Sequence, residues 1–354
     1  MSIEEALKVE HTALPPLREE YHDGLIISVI LDCYFGIDYI KQSIKSVLDQ
    51  DYINVELMLI NNGASEEIAT YLNQIFLKNK NIFLISFEEN QFSWSDREKP
   101  ISICWNVALH YCRGEIVTHL SYDDMFSKNY ARKMANLFDE NNQCITAAPL
   151  PILINSAGER IPNSDMPRLN QRPRFSDGKD VALDFVSFSP KNMFNSPGEI
   201  FAIRKKVLLK YGGFEQGVDL LQLIKYAIHG VTGFDSDAHV YWRSHEFQTN
   251  RISSAKGHVS VKEFKRIIKR SKIIDIWRDE FSQKEVVLLK KYLKNHIKFL
   301  PFTKSQNMIS DKNLSGLLLV FFYTAKECPE LLFQTISQSI VFVFKIIFKK
   351  IKSF

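Results

Sequence analysis

The chain has 354 residues, of which 45% are hydrophobic and 24% charged, a composition that excludes a disordered chain and supports one large domain or two. The formal net charge of +4 hides an asymmetry: residues 255–354 carry 20 basic and 8 acidic side chains, a surplus of twelve, and the rest of the chain is left at minus eight. The expected basic surface is therefore C-terminal, and no recognised nucleic-acid-binding motif accompanies it, which argues against a nucleic-acid partner.

Five cysteines, Cys33, Cys104, Cys112, Cys144 and Cys328, are scattered and lack metal-ligand spacing. They read as core thiols of a reducing compartment, the cytoplasm, and argue against zinc. The N-terminus is acidic and polar, unlike a signal peptide. No uninterrupted apolar run reaches the length of a membrane span.

Residues 1–23 read as an N-terminal leader, containing Pro15 and Pro16, that wraps on the surface and carries no chemistry. Residues 25–31 (LIISVIL) form the continuous β-branched run that a buried parallel strand needs, and the run stops at Asp32-Cys33-Tyr34-Phe35-Gly36. Ile37, Ile40, Ile44, Val47 and Leu48 then recur at helical spacing. Residues 55–60 make a second strand ending on Asn61-Asn62-Gly63. Ser65 caps a helix with Glu66 and Glu67 in its first turn, and residues 82–87 make a third strand. This order predicts a nucleotide-binding α/β half-domain with polar turns at the C-terminal strand ends. GxGxxG and GxxxxGK[ST] are both absent, so neither a dinucleotide fold nor a P-loop is expected.

Residues 105–124 (WNVALHYCRGEIVTHLSYDD) predict a helix running to Gly114 and a short strand that ends on Asp123 and Asp124. Paired acids at a strand's C-terminal end suit a cation or a ligand, or equally a solvated turn with Asp124 capping the next helix. A helix is expected over 127–141, followed by strands at 145–148 and 152–154 on either side of Pro149 and Pro151. Residues 156–198 are rich in Pro, Ser, Asn and Arg and read as a long loop of the functional or mobile kind. Residues 198–204 read as a strand, and 205–211 as a helix closed by Gly212-Gly213-Phe214. Beyond about residue 258 the chain becomes helices rich in lysine and apolar residues. The apolar runs 314–322 and 340–348 are short and basic-flanked. They suit helices lying in an anionic headgroup layer, with residues 335–354 as the contact, or helices packed on the rest of the chain with solvated lysines.

Several of these blocks together resemble the nucleotide-diphospho-sugar half of family 2 glycosyltransferases. They are ISVILDCYFGIDYIKQSIKSVLDQDYINVELMLINNGAS, then NVALHYCRGEIVTHLSYDD, YGGFEQGVDLLQLIKYAIHG and Val240-Tyr241-Trp242-Arg243-Ser244-His245. The resemblance covers about residues 25–245. It implies an α/β GT-A fold, a mixed sheet flanked by helices, over 24–250, with a basic, amphipathic helical C-terminal region at 251–354.

For the donor site the resemblance implies Asp32 and Tyr34, with the Tyr34 ring against the base, and Asn62, whose amide can accept or donate where the family usually has Asp. It further implies Asn106 in the helix before the acidic strand, Ser121 at the position that meets the ribose, and Arg243 facing the diphosphate. Many relatives carry Arg where this chain has Trp105, and Arg97 or Lys99 in the preceding polar loop can supply that charge or simply be solvated. Asp123, with Asp124 and His245, is implied as the ligand set for Mg²⁺ or Mn²⁺. Asp219 falls on the family's catalytic base, although Val218 replaces the usual Glu.

The implied activity is metal-dependent, inverting transfer of a sugar from a nucleotide-diphosphate donor, a UDP-sugar, to a glycan or lipid-linked acceptor, as in bacterial surface polysaccharide synthesis. The implied location is cytoplasmic, at the inner face of the cytoplasmic membrane. The departures at Asp32, Asn61, Asn62, Ser121 and Val218 keep open a second reading: a catalytically silent GT-A module that binds a nucleotide or glycan as a membrane-associated scaffold.

Overall fold

The computed structural model describes residues 1–93, 96, 98–162, 172–187, 201–246, 248, 261–310 and 312–351, with the side chains of 218, 219 and 347–351 left aside. The chain divides into two compact units, Met1–Ser244 and His245–Phe354.

In the first unit, the run at residues 25–31 becomes β2 (Ile27–Cys33), buried along its whole length. Its β-branched side chains fill both faces, and a helix-bearing crossover on each side is the only short route to a parallel neighbour. The helix α2 (Ile37–Leu48) leads to β3 (Val55–Asn62), and α3 (Glu66–Lys78) leads to β4 (Ile82–Phe87). A π-helical turn, Ile101–Trp105, runs into α4 (Asn106–Tyr111) and then β5 (Ile116–Leu120). These strands lie parallel in the order β4-β3-β2-β5, with Ile27 opposite both Val55 and Ile116. Ile40, Ile44 and Val47 of α2 and Ile68, Leu72 and Phe76 of α3 close one face of the core.

The leader departs from the surface wrap expected of it. Ser2 and Glu5 form a capping box that starts the one-turn helix α1 (Ile3–Ala6), and Ile3 N–H donates to the Gly212 carbonyl at 3.2 Å. The strand β1 (His11–Leu14) then pairs antiparallel with β4, His11 opposite Phe87, and covers that sheet edge. A four-residue strand of alternating burial has too little pattern to stand out in a polar sequence.

The acidic turn is followed by β6 (Met125–Phe126) and α5 (Tyr130–Glu140), then one long strand, β7 (Cys144–Ile154), in place of the two expected around Pro149 and Pro151. The prolines fit because the partner strand β10 (Val231–Arg243) shifts register between Asp235 and His239 just opposite them. Within the expected loop 156–198, β8 (Phe175–Asp177) pairs with β10, and Asp177 caps α6 (Gly178–Val186) by accepting from the Lys179 and Asp180 N–H groups. β9 (Ala202–Arg204) is antiparallel to both β5 and β7, and makes the sheet mixed. α7 (Lys205–Lys210) and the short α8 (Val218–Leu221) follow.

The second unit contains α9 (Val261–Ser271), α10 (Ile273–Glu280), α11 (Gln283–Ser310), α12 (Leu314–Glu327) and α13 (Leu332–Ile351). A small core of Val261, Met308, Val320, Cys328 and Leu331 holds it together.

The turn after β3 shows how tightly the strand ends are built. Gly63 sits at φ +55°, where a Cβ would lie 2.2 Å from the Asn90 backbone nitrogen. Gly63→Ala is therefore expected to cost roughly 1–3 kcal/mol in urea unfolding; an unchanged midpoint would mean that the Asn90 backbone gives way freely.

Candidate active site at the parallel strand ends

Because β2, β3 and β5 are parallel and in register, the polar residues that stop each strand arrive at one edge of the sheet. Asp32 ends β2 and Asn62 ends β3. The Asn62 side-chain N–H group reaches Asp32 Oδ2 at 3.4 Å, and Asn62 Oδ1 accepts from the Gln91 N–H at 2.8 Å. Both residues are buried, and Asp32 Oδ1 has no hydrogen-bond partner among the described residues. Burial pushes the Asp32 carboxyl up to about 7, against a small opposing effect of Asn62. A buried carboxyl oxygen without a donor is the kind of group that a ligand N–H satisfies.

Tyr34, half-buried, stacks on Phe92 with ring centres 5.7 Å apart and planes 12° apart, and meets Tyr122 edge-on at 5.0 Å. It forms one wall of an aromatic group beside Asp32.

The acidic turn after β5 is held from below and behind. Asp124 N–H donates to the Ser121 carbonyl at 3.1 Å. The buried Ser43 hydroxyl of α2 lies 2.8 Å from the Tyr122 carbonyl and 2.5 Å from that of Asp124. Arg243 supplies the rest: its backbone N–H donates to Asp124 Oδ1 at 2.8 Å and its Nε–H to the Asp123 carbonyl at 2.7 Å. Its terminal nitrogens donate to the Ser156 carbonyl at 3.0 Å and to Gln42 Oε1 at 2.8 Å, and the guanidinium lies 4.7 Å from the Tyr39 ring centre. Arg243 is fully buried, and where the sequence suggests a side chain facing a diphosphate, its guanidinium donates to backbone oxygens that follow β5 and β7 and to Gln42.

Asp123 and Asp124 are both buried, at 8% and 4% exposure, while Ser121 is exposed. Burial, then the neighbouring Asp123 charge, raises the Asp124 carboxyl well above the usual range, against the pull of the Arg243 N–H. A solvated turn would not desolvate its acids in this way. Two adjacent, buried hard oxygen donors suit Mg²⁺ or Mn²⁺, cations that need few protein oxygens when phosphate oxygens complete the shell. Among the described residues no group of three or more His, Cys, Asp or Glu side chains that could hold a metal ion is found. His245 is buried and opens the second unit.

Asn106 departs from its expected donor role. It is fully buried, its amide N–H donates to the Phe214 carbonyl at 2.9 Å, and its oxygen accepts from the Phe214 N–H at 2.6 Å. Gly213, at φ +109°, allows the approach, since a Cβ there would stand 2.2 Å from Asn106 Oδ1. The loop before α4 adds two more ties: Asp96 accepts from the Gln216 side chain at 2.8 Å, and the Glu98 carboxylate accepts from the Gly217 N–H. All three fix the segment that enters α8, whose second residue is Asp219. The Asp219 side chain lies outside the described residues, as does Arg97.

Trp105 packs on His119 with ring centres 4.3 Å apart, and burial lowers the His119 imidazole to about 4, so an aromatic and neutral pair fills this position. Gln42, Ser43 and Gln91 complete the site without having been singled out in the sequence. Helical spacing marks which residues of α2 are apolar, but no local signal says that Ser43 will meet a turn about 80 residues away or that Gln42 will meet Arg243, 201 residues away.

The chain was compared with known proteins. The sequence pattern described as Glycosyl transferase family 2 matches residues 28–211, just over half the chain. An uncharacterised glycosyltransferase of Haemophilus influenzae is 30% identical over 121 residues, 34% of this chain and 45% of that protein. The putative teichuronic acid biosynthesis glycosyltransferase TuaG of Bacillus subtilis is 26% identical over 117 residues, 33% of this chain and 43% of its own length. The matched segment thus spans less than half of either relative. Among solved structures, TarS 1-349 of S. aureus in complex with UDP is similar in fold with a TM-score of 0.56 at 14% identity, covering 90% of this chain and 89% of that one. The parallel strand ends with their buried acids, the mixed sheet and the family match agree: the chain belongs to glycosyl transferase family 2 and has the GT-A fold.

Proposed function

We propose that the chain transfers a sugar, with inversion, from a nucleotide-diphosphate donor to a hydroxyl of a glycan or lipid-linked acceptor, as in bacterial surface polysaccharide synthesis. The observation that carries this reading is the gathering of Tyr34, Asp32, Asn62 and the Asp123–Asp124 turn at one edge of the parallel strands. Base recognition falls to Asp32 and Asn62: a uracil ring N–H can donate to Asp32 Oδ1, with the base resting on the Tyr34 wall. Ser121, exposed beside the acids, is available to the ribose.

Asp123 is the principal metal ligand in this reading, with Asp124 holding the turn through Arg243 and sharing the charge; the assignment does not depend on His245. A divalent cation held there neutralises the diphosphate and stabilises it as a leaving group. Asp219 accepts the proton of the acceptor hydroxyl as its oxygen bonds to the anomeric carbon, while the bond from that carbon to the diphosphate oxygen breaks on the opposite face. Arg243 and Ser43 keep the acidic turn from relaxing as its charge changes, and Asn106, Asp96 and Glu98 hold the chain that bears Asp219. TuaG, whose name carries teichuronic acid biosynthesis, and TarS with its bound UDP point in the same direction as the uridine and polysaccharide parts of the proposal.

The test is a panel of nucleotide sugars incubated with the purified chain and Mn²⁺, scored by release of nucleoside diphosphate with and without candidate acceptors, alongside calorimetric binding of the nucleotide. Release from one donor, dependent on metal, is expected. Donor binding that needs no metal and leads to no turnover with any acceptor would favour the silent binding module instead.

Asp123→Ala is expected to abolish the Mn²⁺ dependence of nucleotide binding; equal affinity with and without the cation in the native chain would overturn the metal assignment. Asp219→Asn should leave nucleotide affinity within about twofold and lower kcat by roughly 10²–10⁴-fold, and retention of full turnover would remove Asp219 from the chemistry.

Asp32 gives a pH test. Its folded value lies above that of the unfolded chain, so its contribution is full below about pH 4 and is lost as pH rises through about 7. Asp32→Asn should therefore be more stable than the native chain at pH 8, by at most about 4 kcal/mol, with the gap closing toward pH 4. A gap independent of pH in urea unfolding would show that Asp32 is not desolvated.

A further inference from the structure

Whereas α10 and α11 bury large apolar side chains such as Trp277, Val286 and Leu289, α12 and α13 bury small ones and expose large ones. In α12 the buried positions are Gly316, Val320 and Thr324, all small and spaced four apart. The same helix exposes Leu314 at 68%, Leu318 at 61% and Phe322 at 60%, a stripe of identical spacing on the opposite side. α13 repeats the arrangement: Thr335 and Ser339 are buried, at 1% and 4%, while Phe333 at 84%, Ile340 at 52% and Phe344 at 55% face outward.

The inward hydroxyls are satisfied within the helices. Thr324 donates to the Val320 carbonyl, Thr335 to that of Leu331 and Ser339 to that of Thr335, each at 2.7–2.8 Å, and Ser339 meets Ser305 of α11 at 2.7 Å. A Cβ at Gly316 would lie 2.4 Å from the Met308 sulfur, so the small residue there sets how closely α12 and α11 approach.

A water-soluble helix bundle buries its large apolar side chains and exposes its polar ones. Small residues and back-bonded Ser and Thr at the helix contacts, with large apolar residues outside, is the packing of helices in lipid. Each large side chain left in water forgoes about 1.5–3 kcal/mol of burial. No helix among the described residues is long and apolar enough to cross a membrane, which leaves the interfacial position, with the helices lying in the headgroup layer.

The choice of occupant follows from charge. Residues 311–352, which span α12 and α13, carry six basic side chains against three acidic ones, Asp311, Glu327 and Glu330, a surplus of three. Exposed Lys312 and Lys326 stand at the two ends of α12, and exposed Lys345 follows Phe344 in α13. A second copy would bring two such surfaces together against their own repulsion, whereas an anionic bilayer gains about 1 kcal/mol per lysine near its surface.

We propose that α12 and α13 form a membrane-docking face that seats in the headgroup layer of an anionic bilayer through Leu314, Leu318 and Phe322 on one helix and Phe333, Ile340 and Phe344 on the other. The face is built into the helical unit and is not confined to the basic tail at 335–354. It is independent of the donor chemistry, since none of these residues belongs to the strand-end site.

The experiment is sedimentation of the full chain with phosphatidylcholine vesicles, with and without phosphatidylglycerol. Binding is expected with the anionic lipid and should weaken with salt. The double variant Leu318→Glu/Phe322→Glu should lose at least about tenfold in vesicle affinity, with unchanged circular dichroism and unchanged nucleotide binding. Phe333→Glu/Phe344→Glu should do the same from the other helix. Failure of the native chain to bind anionic vesicles overturns the proposal. So does binding that both double variants retain, or a native dimer at micromolar concentration that the variants convert to monomer.

Discussion

Two carboxylates next to each other at the end of a buried strand repel, and neither can hide from the other by moving into water. Asp123 and Asp124 persist in that arrangement because the turn bearing them is fastened from several directions: by the Ser43 hydroxyl, the Ser121 carbonyl and two donors of Arg243, its backbone N–H and its Nε–H. Arg243 places a positive charge behind the turn, and its guanidinium donates to the Asp123 and Ser156 carbonyls and to Gln42. The order of β2, β3 and β5 matters for the same reason: parallel strands in register bring Asp32 and Asn62 to the same edge as that turn.

Much of the first unit was legible because its strands are buried on both faces. Runs such as residues 25–31 and 55–60 have no polar alternation to dilute the signal, and α2 and α3 show clean helical spacing. The sequence could also order the candidate site residues along the chain, because each follows directly on the end of a strand. It failed where a residue's role is decided by a partner far away in sequence. Asn106 looks like a polar residue near a ligand until Phe214 is found taking both ends of its amide. Arg243 looks like an anion binder until the carbonyls of Asp123 and Ser156 are found around it. Pro149 and Pro151 break a strand in isolation, and only the shift in β10 opposite them lets β7 run through.

The second unit was misleading in another way. Its lysines and apolar residues suit a surface that meets lipid or helices with solvated lysines, and composition does not say which side of a helix packs inward. Gly316, Val320 and Thr324 share one side of α12, and no rule based on hydrophobicity would choose that side as the buried one. The inversion becomes visible only once α11 is in place to receive Gly316 against Met308.

The clasp between Asn106 and Phe214, reinforced by Asp96 on Gln216 and Glu98 on Gly217, ties the loop leading into α4 to the segment leading into α8. The segment leading into α4 and the segment leading into α8 therefore share one joint, made of residues more than a hundred positions apart. Sequence drift in one segment is not independent of the other: Gly213 must stay small for Asn106 to reach Phe214. A family that diversifies its acceptors by exchanging C-terminal segments would have to carry this joint across intact, and it marks a natural seam for building chimaeric transferases.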